Sequence, residues 1–176
     1  MRPFMLTTLL LVGLASPVGA QPRREQVLAT RAHAEVLQHI NQLATTAAIH
    51  LHHGVANALL ATRSHVDDAF DPVASAPLPA GTKIKVIRQA GGSRFELPNG
   101  GHVVLWTDAL RMSEPRANNT TAVHDIEVAN TISLSRQRVV RADQSVIEHS
   151  TLLSMKGKNG TVSEHTIGGP AKGSQP

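Results

Sequence analysis

The chain contains no cysteine and no tyrosine, and its 176 residues include one tryptophan and three phenylalanines. Without cysteine it folds without disulfides, and thiolate zinc sites are excluded. So few aromatic rings leave little to stack on nucleic-acid bases and little to wall a sugar cleft beside paired carboxylates. The core must rest on Val, Ile, Leu and Ala. There is no Gly-x-Ser-x-Gly elbow, no His-Glu-x-x-His helix and no phosphate-cradling glycine loop. The expectation is a protein that is not an enzyme and does not bind nucleic acid. Charge of either sign is sparse, with 17 Lys and Arg against 13 Asp and Glu, a net of +4. The basic residues are densest at Arg23-Arg24, Lys83/Lys85/Arg88 and Arg136/Arg138/Arg141. Basic residues two apart share one face of a strand. Such a face can meet anionic wall polymer or lipid head groups, or simply water.

What is present first is an export signal. Arg2 gives a positive start, Phe4 to Leu14 an apolar stretch, and Ala15-Ser16-Pro17-Val18-Gly19-Ala20 a helix breaker with a small-x-small cleavage site. The apolar run is too short to span the roughly 30 Å hydrocarbon layer, and no later segment is apolar enough for a transmembrane helix. Residues 1–20 therefore read as a signal peptide, and the protein as exported, to the bacterial periplasm or secreted.

Residues 21–71 read as helical. Arg24 to about Val66 contains no proline and one glycine, and Val36, Ile40, Leu43, Ala47, Leu51, Val55 and Ala58 recur three or four apart, laying one apolar stripe along a helix. A continuous helix makes a rod of about 60 Å; a kink or hairpin near Gly54 is the alternative. The stripe must be buried, either on the rest of the chain or through self-association with another copy. Residues 72–79 are a proline-rich linker. From residue 80 to 167 alternating polar and apolar residues, with turn signals at Ala90-Gly91-Gly92 and Pro98-Asn99-Gly100-Gly101, predict an antiparallel β domain of six to eight short strands. Met112 to Thr121 reads as a polar loop, and residues 168–176 as a tail. The fold class is α+β: a long N-terminal amphipathic helix, kinked or not, followed by an antiparallel β-rich domain.

Leu78-Pro79-Ala80-Gly81-Thr82-Lys83-Ile84-Lys85-Val86-Ile87, then Gly91-Gly92, Phe95, Leu97-Pro98-Asn99-Gly100, Trp106 and Ala109-Leu110 resemble the middle and end of a bacterial SH3-like domain. The resemblance covers residues 78–111. It departs from the family's pattern in lacking a counterpart of the opening strand in Asp71 to Pro77, and in having Val103-Val104-Leu105 where the family places a glycine before its tryptophan. It implies a small β-barrel that holds cell-wall peptide or another envelope ligand, with Phe95 and Trp106 as ligand-binding residues. Residue type alone places the same two rings in a core.

Histidine is abundant, ten in all, six of them between residues 33 and 65. His50 and His53 share one helix face a turn apart and can offer two imidazoles to zinc or copper. His39 lies about 16 Å along the axis, too far to join, so a third ligand must come from elsewhere. The alternative is that these histidines shield the edge of the apolar stripe. His65 with Asp68, and His124 beside Asp125, are looser pairs. These features give an exported, non-enzymatic binding or scaffolding protein of the cell envelope, with a histidine-based periplasmic metal-binding protein as the alternative.

Overall fold

The computed structural model describes residues 21–70, 86–89 and 91–168. The expected signal peptide, the 72–79 linker and the tail beyond Gly168 lie outside the described residues. Two helices, α1 (Gln21–Ile49) and α2 (His53–Phe70), precede eight strands: β1 (Val86–Gln89), β2 (Gly92–Glu96), β3 (His102–Trp106), β4 (Ala109–Arg116), β5 (Thr120–Glu127), β6 (Ile132–Arg141), β7 (Val146–Lys156) and β8 (Val162–Gly168). The strands form one antiparallel sheet in the order β1 to β8, each paired with its neighbour in sequence. The chain is thus α+β. No helix among the described residues is long and apolar enough to cross a membrane.

The single rod expected over Arg24 to Val66 is divided at His50 to His52. Leu51 adopts φ 67°, its N–H donates to Ala48 O (2.9 Å), and the His52 N–H reaches back to Ala47 O (2.8 Å). That pair of bonds closes the helix end in a Schellman motif, with leucine at the left-handed position usually given to glycine. The turn resets the helical phase. Val36, Ile40, Leu43 and Ala47 of the expected stripe are buried, and so is Val55, but Leu51 is 46% exposed and the buried line in α2 continues through Leu59, Thr62, Val66 and Phe70. The two helices pair as a hairpin, tied by the His33 Nε2–H to Asp67 Oδ1 contact of 2.8 Å and by the His33 ring stacked on Phe70. The α1 stripe is thus buried within one chain, the first of the two ways expected for covering it.

Residues directly opposite in antiparallel strands share a face, so the register sorts the sheet into two sides. The inner side carries the rows Phe95–Val103–Met112–His124–Gln137–Ser150 and Leu105–Leu110–Ile126–Ser135–Leu152. It packs against the helices, and its apolar members join the helix stripe in one core. Under α1 this side is apolar. Toward α2 it turns polar, with Ser133, Ser135 and Ser154 all buried.

The expected loop Met112 to Thr121 is instead the β4–β5 hairpin. Asn118 and Asn119, both with positive φ (60° and 53°), make the tight turn, a conformation asparagine tolerates. Gly168, assigned by composition to the tail, is the last residue of β8.

The far end of the sheet reaches back to the helix hairpin. Glu164 on β8 accepts the Gly54 N–H at 2.7 Å, so a carboxylate caps the positive end of α2 from a distant strand. A Cβ on Gly54 would stand 2.7 Å from both Glu164 Oε2 and Leu152 Cδ2. Alanine in a helix is ordinarily worth up to about 1 kcal/mol over glycine, but here the ends of two side chains must shift, and moving the Glu164 carboxylate disturbs the cap on α2. Gly54→Ala is expected to destabilise the protein by about 1–3 kcal/mol in urea unfolding. A stabilised variant would show that this approach relaxes without cost.

Candidate functional site

Ala61, Thr62 and His65 of α2 and strands β4 to β7 enclose a cleft of about 380 Å³. Its floor is the inner side of the sheet. Glu114, Ala122, Val139 and Glu148 form one cross-strand row, and Met112, His124, Gln137 and Ser150 form the next. Thr62 and His65 of α2 make the roof. Glu114 and Glu148 sit three strands apart, about 14 Å at ordinary strand spacing, and Arg116 is also in the lining. Asn99 Nδ2 donates to Glu114 Oε1 at 3.2 Å and steadies that carboxylate. The cleft thus combines a floor of mixed polar and apolar side chains with charges of both signs, and its volume is within the range of small-ligand sites.

His124 closes the inner end. The Thr62 hydroxyl gives its proton to Ala58 O at 2.9 Å, so the 3.1 Å contact to His124 Nδ1 has the imidazole N–H donating. Nε2 is then the acceptor of the Ser135 Oγ–H at 2.8 Å. Both ring nitrogens are satisfied in the neutral tautomer. Burial pushes His124 down to about 4, with His65 adding a smaller push and Asp125 opposing. A base held that low, with its acceptor nitrogen occupied by a buried serine, is poorly suited to general-base work at neutral pH.

The loose pair His124 and Asp125 is separated by the pleat. Asp125 faces the other side of the sheet, where Arg111 and Arg138 both bind its carboxylate. The structure instead brings His65 and His124 together, along with Glu114 and Glu148. Those carboxylates had no signal in the sequence, because only the strand register shows that they share a row.

The two residues nominated as ligand contacts part company. Phe95 is 0% exposed, in the core, and presents no surface to a ligand. Trp106 is half-buried. Its indole lies over Gly92, where a Cβ would meet Nε1 at 2.8 Å, and the residue borders an open groove with Glu35, Gln38, His39 and Thr107. His39 Nε2–H donates to Trp106 O at 2.8 Å and joins α1 to the end of β3.

His50 and His53 are divided by the interhelical turn: His50 follows α1 and His53 opens α2. The i, i+3 geometry of one continuous helix therefore does not apply to them. Between them, His52 is fully buried. Its Nε2–H donates to Asn130 O (3.3 Å), and its Nδ1 accepts from Ser154 Oγ (2.7 Å). Among the described residues no group of three or more His, Cys, Asp or Glu is placed to hold a metal ion.

No protein-family model matches the chain, and no curated protein and no solved structure is similar to it.

Proposed function

We propose that this is an exported, non-enzymatic binding protein of the cell envelope, with the cleft between α2 and the sheet as its ligand site. The cleft itself carries the reading: about 380 Å³ with a floor of mixed polar and apolar side chains, two carboxylates on one row and an arginine in its lining. A short peptide bearing both amino and carboxylate groups, as in soluble fragments of bacterial cell wall, suits such a lining. Glu114 and Glu148 would take its ammonium groups and Arg116 a carboxylate. The occupied nitrogens of His124 favour binding over catalysis.

The test is thermal unfolding with purified soluble muropeptides. At a hundredfold excess over the dissociation constant, binding contributes about 2.7 kcal/mol, a rise of about 5 °C or more for a chain of this size. Glu148→Gln, an exposed position, should remove the rise and leave the unliganded melt in place. Pelleting with intact sacculi locates the contact: loss with Trp106→Ala but not with Glu148→Gln would assign it to the Trp106 groove. No melting shift and no pelleting would overturn the proposal.

A further inference from the structure

The side of the sheet turned away from the helices has its own chemistry. Arg94, Val104, Arg111, Asp125 and Arg136 form one row across β2 to β6, and Arg138 follows in the adjacent row with His102 and His149. Three carboxylates sit among them, one of which, the exposed Glu127, stands opposite Leu134. Glu96 pairs with Arg94 at 2.7 Å, and Asp125 is sunk between Arg111 and Arg138 with 13% of its side chain exposed. Arg136 is exposed and has no carboxylate partner among the described residues. Four arginines against three carboxylates leave the face with a small net positive charge, and Arg111 and Arg136 are exposed on it. His102 senses this: burial holds its imidazole below the usual range, and the charges of Arg94 and Arg111 lower it further against Glu96.

The same face carries aliphatic residues on β6 and β7 and one on β8, where Ser163 and His165 are its polar members. Ile132 opposes Met155, Leu134 opposes Leu153, and Ile167 lies two strands beyond Arg136 in the row Arg136–Thr151–Ile167. Ile132 is 52% exposed and Ile167 55%. Exposed aliphatic residues beside a basic patch are the pattern of a surface that rests on a membrane. A soluble polyanion would satisfy the arginines and leave the isoleucines in water.

We propose that this outer face docks on an anionic phospholipid bilayer, the arginines meeting headgroup phosphates and Ile132, Leu134, Leu153, Met155 and Ile167 entering the acyl boundary. It is a different surface from the cleft and does not depend on the cleft holding a ligand.

The experiment is flotation of the full chain with vesicles of phosphatidylglycerol and phosphatidylcholine, and with phosphatidylcholine alone. Variants are made only at exposed positions, with melting checked in parallel, and Arg111 and Arg138 are left to hold Asp125. The unaltered protein should float with the anionic vesicles and come off as salt rises. Arg136→Glu should weaken partitioning about tenfold or more, and Ile132→Ser with Ile167→Ser should weaken it independently. Because residues 1–20 are the same in every variant, equal flotation of all of them would show that this face does not dock. If Arg136→Glu weakens binding while the serine variants bind like the parent, the partner is an anionic polymer and the membrane proposal fails.

Discussion

Replacing Phe95 with alanine is expected to lower the unfolding free energy by about 3–5 kcal/mol, a large part of the roughly 5–15 kcal/mol that holds a domain together. The reason is scarcity. The chain has three phenylalanines, and Phe95 is the largest fully buried side chain among the described residues. It sits on the inner side of β2 opposite Val103, in a core whose other members, Phe70 and Met112 apart, are Val, Ile, Leu and Ala. Urea unfolding at neutral pH measures the loss. Phe95→Leu, which leaves a smaller void, should cost less than half as much. A Phe95→Ala cost below about 1 kcal/mol would mean that the helix hairpin settles onto the sheet and closes the cavity.

The second large effect is on acid stability. His124 is neutral when folded, with its pKa near 4, against about 6.5 when unfolded. Between these values the unfolded chain binds the proton and the folded chain does not. The stability contributed by the neutral imidazole is therefore complete above pH 6.5 and declines as pH falls toward 4. The full difference approaches about 3 kcal/mol. His65 faces the ring from α2 and works in the same direction, while Asp125, on the other side of the strand, offsets part of it. Thr62 and Ser135 hold the neutral form by hydrogen bonding. Urea unfolding from pH 7.5 to 4 should show the decline, and His124→Gln should remove most of it. A His124→Gln variant with the parent's pH dependence would place the acid sensitivity elsewhere.

Much of the helix and sheet content could be read from residue periodicity, while the phase at the turns could not. The stripe from Val36 to Ala47 is visible at helical spacing and is buried as expected. It breaks at Leu51, because a leucine there takes the left-handed conformation that glycine would announce, and the nearest glycine lies three residues on. The β4–β5 hairpin was hidden for a similar reason. Its polar residues line a cleft and a charged face, so Met112 to Thr121 lacks the alternation that marks a strand with one side in the core, and Asn118-Asn119 is a weaker turn signal than Asn-Gly. The cleft was less legible still. Glu114 and Glu148 are 34 positions apart in sequence and meet through three ladders of pairing. His65 and His124 each stood out, but each beside the wrong carboxylate. The arginines did carry information: Arg136 and Arg138, spaced two apart, do lie on one face, and the register adds Arg94 and Arg111 from strands the sequence could not align.

Strands that pair only with their neighbours in sequence can zip up hairpin by hairpin, whereas the joints between helices and sheet span long stretches of chain. Ser154 reaches His52 across 102 residues, and Glu164 reaches Gly54 across 110. A chain synthesised from its N-terminus therefore delivers the helix hairpin long before the surface that will cover its apolar stripe, and the cap of α2 arrives last of all. During that interval the stripe is a natural target for a chaperone. Damage at the C-terminal strand, by proteolysis or a premature stop, should be felt first at the opposite end of the chain, as fraying of the second helix.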